Sequence, residues 1–147
     1  MNKPLILVVE DDAPVRNLIT TTLKLHDYRF LTAATGETAL LEASSHNPDI
    51  ILLDLAMPVM DGMEFLKRKQ QDAVLAGIPV IIITADDTTG HQIQMLQLGA
   101  EDYIVKPFVP EIAMRRVENV LGAGRLLKRM SVAGGKDKGE TDNGGTV

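Results

Sequence analysis

The sequence predicts an α/β fold in which a doubly wound parallel sheet lies between two layers of helices. Three observations predict it. Five short apolar runs recur at fairly even spacing, and segments of helical periodicity separate them. The chain has 147 residues, 45% of them hydrophobic, which suffices for one complete core and not for two comfortable domains. Strict alternation of strand and helix calls for parallel strands joined by right-handed crossovers.

The apolar runs are Leu5–Val9, Arg29–Ala33, Ile50–Leu53, Val80–Thr84 and Tyr103–Val105. The first, third and fourth are Val, Ile and Leu without polar alternation, as in strands covered on both faces. The second and fifth are more mixed and suit flanking strands. Between them, Ala13–Leu25 has Pro14 in a first-turn position and places Val15, Leu18, Ile19, Thr22 and Leu23 on one face. Glu37–Ala43 turns Ala39, Leu40 and Ala43 inward, and Met63–Gln71 turns Phe65 and Leu66 inward with the stem of Lys69 near the sheet. His91–Leu98 offers Ile93, Met95, Leu96 and Leu98, and Pro110–Leu121 offers Ile112, Ala113, Val117, Val120 and Leu121. Five strands and five helices in a chain of this size suit the flavodoxin-like strand order 2-1-3-4-5.

After Leu121 the composition shifts. Residues 122–147 contain seven of the twelve glycines and end in GGKDKGETDNGGTV, which has little to bury. A globular domain over 1–121 and a flexible tail over 122–147 are expected, with room for a short helical extension at 122–130. The net charge of −5 favours neither a nucleic acid nor an anionic membrane surface as a direct partner. No apolar run reaches the ~18–20 residues that span a bilayer. The absence of cysteine removes thiol catalysis, disulfides and thiolate metal sites. The N-terminus turns acidic after its apolar run and lacks a small-residue cleavage site. A cytoplasmic domain is the expectation.

The residues that carry chemistry fall at strand ends. Glu10, Asp11 and Asp12 follow the first strand, Asp54 the third, Thr84 ends the fourth and Lys106 follows the fifth. In the predicted order they converge on the carboxyl edge of the sheet, where open α/β sheets bind ligands. Two carboxylates ~4 Å apart repel by about 4 kcal/mol at an effective dielectric of 20, so such a cluster favours a cation. Oxygen-only ligands select a hard ion, Mg²⁺ or Mn²⁺. A carboxylate nucleophile, a metal to neutralise charge, and a lysine and hydroxyl to hold oxygens together make phosphoryl-transfer machinery. Asp12, ahead of Ala13 and Pro14, reads as a helix cap.

The segments ILVVEDD at 6–12, PDIILLDLAMPVMDG at 48–62, VIIITA at 80–85 and GAEDYIVKPF at 99–108 resemble the response-regulator receivers, the CheY-like domains of two-component signalling. The resemblance covers residues 4–121, with each segment in order and at the right spacing. It implies that Asp54 is the phosphoacceptor. It implies also that Glu10, Asp11, Asp54 and the Ala56 carbonyl hold Mg²⁺, with Asp11 the more direct ligand of the acidic pair. Thr84 and Tyr103 are implied as the switch pair, Lys106 as the lysine that meets the phosphoryl group, and Lys106–Pro107 as a cis peptide. Gly62 would permit a turn after the phosphorylated loop.

The implied function is Mg²⁺-dependent phosphoryl transfer from a phosphohistidine to Asp54. The donor would be a sensor histidine kinase or a histidine phosphotransfer protein. The result would be a change in the surface of the fourth helix, fifth strand and fifth helix, read by an unidentified output protein or a missing output domain. The residues two past Asp54 and Thr84, Ala56 and Asp86, are expected to influence the acyl phosphate's lifetime. The implied protein is a signalling phosphoacceptor, not an enzyme acting on other substrates. A haloacid-dehalogenase-like phosphatase is the alternative, but it would need an aspartate where Ala56 stands. A flavin carrier would need a phosphate-cradling loop where EDDAP stands. A homodimer is open: Glu101, Asp102 and Arg116 partly suit pairing through the output surface, whereas Gln92, Gln94 and Glu118 stand where basic residues would help.

Overall fold

The computed structural model describes residues 3–57 and 61–123. The elements run β1 (Leu5–Val9), α1 (Ala13–Leu25), β2 (Arg29–Ala33), α2 (Gly36–His46), β3 (Ile50–Leu53) and α3 (Gly62–Gln71). A 3₁₀ turn at Leu75–Gly77 leads into β4 (Val80–Thr84), α4 (Thr89–Gln97), β5 (Asp102–Val105) and α5, residues 110–123. The five strands form one parallel sheet in the order β2-β1-β3-β4-β5. The expected fold class, flavodoxin-like with five helices, is therefore correct. The extended stretch of the tail expectation, including most of the helical segment at 122–130, lies outside the described residues.

The all-apolar runs become the central strands for the reason the pattern gives. β1, β3 and β4 are flanked on both sides in the sheet, and every residue of β3 and β4 is buried. β2 lies at one edge, and its alternation of Arg29 and Thr32 with apolar neighbours leaves it partly exposed. Phe65, Leu66, Ile51, Leu53 and Ile82 are among the fully buried side chains of the core.

Helix ends follow local chemistry. Asp12 caps α1, its Oδ2 accepting the Val15 N–H at 3.0 Å, as expected for an acid ahead of Ala-Pro. Thr35 caps α2 through the Thr38 N–H, and Asn47 ends it in the left-handed conformation at φ 48°. Those two signals lengthen α2 beyond the expected Glu37–Ala43. Asp61 caps α3 through Glu64 N–H at 2.9 Å.

The inward faces need correction. In α4 only Met95 is buried, while Ile93 and Leu96 remain 51% and 47% exposed. The helix begins at Thr89 and Leu98 is its cap, so the apolar residues spread around the helix and only one position faces inward. Leu18 and Ile112 are likewise exposed, and Met114 is buried instead on α5. Lys69 shows the opposite deviation. Its whole side chain, not the stem alone, is buried at 2% exposure beside Phe65 and Leu66 on α3.

Candidate functional site

Main-chain hydrogen bonds extend the sheet one residue past its strands and fix the residues that follow. Glu10 N–H donates to Ala33 O at 3.0 Å, Asp54 N–H to Val9 O at 3.0 Å, and Lys106 N–H to Thr84 O at 2.7 Å. The site therefore sits on rigid backbone at the carboxyl edge. The reversal of strand order lies between β1 and β3, the two strands that present Glu10, Asp11 and Asp54. Open sheets form their ligand crevice at such a reversal.

The three carboxylates converge. Glu10, Asp11 and Asp54 each offer an oxygen within 4.8 Å of the others, with Glu10 and Asp54 buried and Asp11 exposed. Lys106 joins them: its Nζ donates to Glu10 Oε1 at 2.7 Å and lies 3.5 Å from Asp54 Oδ2. Burial alone would lower the Lys106 ammonium, but the hydrogen bond to Glu10 and the charges of Asp54 and Glu10 outweigh it. The lysine is held charged. Three carboxylates against one ammonium leave negative charge in excess, and an all-oxygen donor set with one exposed member fits a hard dication that keeps part of its water shell.

Asp54 is 5% exposed, and its Oδ1 accepts the Ala56 N–H at 3.2 Å. Ala56 thus contributes main chain and no acid, leaving a phosphatase without its second aspartate. Gly62 has a reason other than a turn. It opens α3 with its N–H on Leu55 O at 2.9 Å, and a Cβ there would collide with the main chain of Asp54 and Leu55. The expected turn role gives way to close approach: α3 begins directly against the loop that presents Asp54.

Thr84 is buried at the end of β4, and its Oγ1 accepts the Asp86 N–H at 3.4 Å. Among the described residues no hydrogen bond joins it to Asp54. Tyr103, on β5, donates its hydroxyl to Asp86 O at 2.7 Å. Burial raises the tyrosine's pKa, and the charges of Asp86 and Asp87 add to it. Thr84 and Tyr103 thus meet through one residue of the β4–α4 loop. Asp86 in turn accepts the Thr88 N–H at 2.9 Å and pairs with His91 Nδ1 at 2.5 Å, interactions that lower its pKa. Sequence reasoning singled out Asp86 but not His91 as its partner. Asp102 and Arg116, candidates for charges between subunits, are tied within the chain: Arg116 Nη1 reaches Asp102 Oδ1 at 3.3 Å and Tyr103 O at 3.2 Å. The Lys106–Pro107 peptide is cis, as the resemblance implied.

The response regulator receiver domain model matches residues 6–118, most of the chain and all of the site. The chain belongs to the response regulator receiver family. Curated relatives of this receiver include the phosphate regulon transcriptional regulatory protein PhoB of Pseudomonas aeruginosa, 38% identical over 79% of the chain and 51% of the relative. The alkaline phosphatase synthesis transcriptional regulatory protein PhoP of Bacillus subtilis is 38% identical over 82% of the chain and 49% of the relative. The receiver spans about half the length of the curated relatives it matches. Among solved structures, the receiver domain of sensor histidine kinase PA1611 from Pseudomonas aeruginosa, with a magnesium ion coordinated in its active site cleft, superposes with a TM-score of 0.76. It is 30% identical, over 82% of this chain and 99% of that one. The chemotaxis response regulator CheY4 of Vibrio cholerae gives a TM-score of 0.76 at 30% identity, over 81% and 99%. Among the described residues no helix is long and apolar enough to cross a membrane.

Proposed function

We propose that Asp54 accepts a phosphoryl group from a phosphohistidine, with Mg²⁺ held by Glu10, Asp11, Asp54 and the Ala56 carbonyl. The observation that supports this most is the convergence of the three carboxylates on one point with Lys106 beside them. The magnesium ion in the cleft of the PA1611 receiver supports the choice of metal. In the transfer, an Asp54 oxygen attacks phosphorus, the bond from phosphorus to the histidine nitrogen breaks, and an acyl phosphate forms. A dication held by Glu10, Asp11 and Asp54 would neutralise charge building on the phosphoryl oxygens. Lys106 is positioned to exchange Glu10 for a phosphoryl oxygen, and the Thr84 hydroxyl to donate a second hydrogen bond.

Phosphorylation would then redistribute the domain between two arrangements. Thr84 exchanges its contact with Asp86 N–H for the phosphoryl group, which frees the β4–α4 loop that Tyr103 holds by the Asp86 carbonyl. The surface of α4, β5 and α5 changes with it, and an output protein or domain reads the change. Hydrolysis by the receiver itself would end the signal. The histidine kinase, or a phosphotransfer protein carrying its phosphoryl group, and the output element would share a cytoplasmic setting.

Incubation with acetyl phosphate and Mg²⁺ is expected to add one phosphoryl group, and chelation of the metal or Asp54→Asn to abolish the addition. Equal phosphorylation of Asp54→Asn would reject the assignment. Lifetime is a separate expectation. Ala56→Asn and Asp86→Ala should each alter acyl phosphate decay severalfold, since one adds a polar group beside Asp54 and the other releases the loop. Unchanged decay in both would remove these positions from control of lifetime.

A further inference from the structure

Arg16 stands in the first turn of α1, which contains no acidic residue. A cation there faces the positive end of the helix dipole, where an aspartate or glutamate would be favoured. A residue chosen against its local preference needs a compensating partner. Arg16 has one, though it is not a carboxylate. Its Nη1 donates to Glu10 O at 2.9 Å and to Asp11 O at 3.4 Å, so both side-chain hydrogen bonds end on main-chain carbonyls.

Those carbonyls belong to the two residues after β1 that supply two of the three clustered carboxylates. Glu10 has further restraints: its N–H is bonded to Ala33 O, its Oε2 accepts the Asp12 N–H at 3.2 Å, and Lys106 holds its other oxygen. Among the described residues the exposed Asp11 has no such set of partners. Its peptide is restrained by the Asp12 cap on one side and by the guanidinium across the loop. We infer that Arg16 is a positioning residue, which clamps the Glu10 and Asp11 carbonyls so that the Asp11 carboxylate is preorganised for the cation. The guanidinium suits the role because Nη1 carries two hydrogens and so serves both acceptors. Removal of groups that orient metal ligands commonly weakens binding tenfold or more. This role rests on the proposed Mg²⁺ site.

The charge of Arg16 alone predicts the opposite sign, because a cation near the site repels Mg²⁺. Two variants separate the readings. Arg16→Ala removes charge and donors, while Arg16→Lys keeps the charge and a donor one bond short of the Nη1 position, and so retains only part of the clamp. Mg²⁺ affinity is measured by isothermal titration calorimetry of the whole chain, with phosphorylation by acetyl phosphate followed at limiting and saturating Mg²⁺. A clamp predicts binding about tenfold weaker in Arg16→Ala and a smaller loss in Arg16→Lys. It also predicts native phosphorylation rates in both once Mg²⁺ saturates. Tighter or unchanged Mg²⁺ binding in the variants overturns the inference, as does equal weakening in the two or a rate loss that saturating Mg²⁺ leaves in place. If Arg16→Ala fails to fold, Arg16→Lys decides alone: weaker binding supports the clamp and unchanged or tighter binding rejects it. Absence of Mg²⁺ binding in the native protein would instead overturn the metal site itself.

Discussion

Lys69→Met is expected to stabilise the domain at pH 7 by about 2 kcal/mol. Lys69 lies on the inward face of α3, and among the described residues its ammonium donates only to neutral acceptors, Ala76 O at 3.2 Å and Gln70 Oε1 at 3.4 Å. Burial pulls its pKa from 10.5 to about 8, with a small opposing pull from the charge of Glu101. The difference bounds the cost of burying the charge at about 3 kcal/mol, and the lost hydrogen bonds return about 1 kcal/mol of it. The pH dependence has a definite sign. Below pH 8 the folded and unfolded chains both carry the proton, so the penalty is fully present. Between pH 8 and 10.5 the unfolded chain holds more protons, so the native protein gains stability as pH rises. Urea titrations from pH 7 to pH 10 should show that rise in the native protein, its absence in Lys69→Met, and the two curves converging at high pH. A variant less stable than the native protein at pH 7 would contradict this account of Lys69.

The second large effect is Gly62→Ala, expected to cost about 3 kcal/mol and to slow phosphorylation of Asp54. The added Cβ would stand 2.6 Å from Leu55 Cα and closer still to Asp54 O. These neighbours are main chain, so no rotamer change relieves the clash. Either the start of α3 or the Asp54–Ala56 loop must move, and the loop holds the Asp54 carboxylate through the Ala56 N–H. Alanine's better helix propensity, worth up to about 1 kcal/mol, offsets only part of the cost. Thermal denaturation and the rate with acetyl phosphate read the two effects separately. Native stability in Gly62→Ala would contradict the close approach of α3 to the Asp54 loop.

Period and strand-end chemistry made most of this legible in advance. VIIIT and IILL state central strands because a half-exposed strand would need polar alternation. Glu10, Asp11, Asp54, Thr84 and Lys106 could be placed together once the strand order was set, because each follows or ends a strand on the same edge. Other features depend on tertiary contacts that no local pattern encodes. Ile93 and Leu96 look inward by composition, yet the position of α4 against the sheet exposes them. Gly62 reads as a turn residue, and only the approach of α3 to the Asp54 loop discloses the collision. Burial of Lys69 was hinted by its spacing from Phe65 and Leu66, but a lysine stem can lie on a core while its amine reaches water. Arg16 left one unread signal, a cation at the wrong end of a helix.

Asp54 as the phosphoryl acceptor remains the claim on which the switch, the metal and the output surface all depend. Peptide mapping by mass spectrometry after brief treatment with acetyl phosphate and Mg²⁺ tests it most directly. A single phosphoryl group is expected on the peptide containing Asp54, lost on metal chelation before treatment. A phosphoryl group on any other residue, or an unmodified Asp54 in phosphorylated protein, would contradict it.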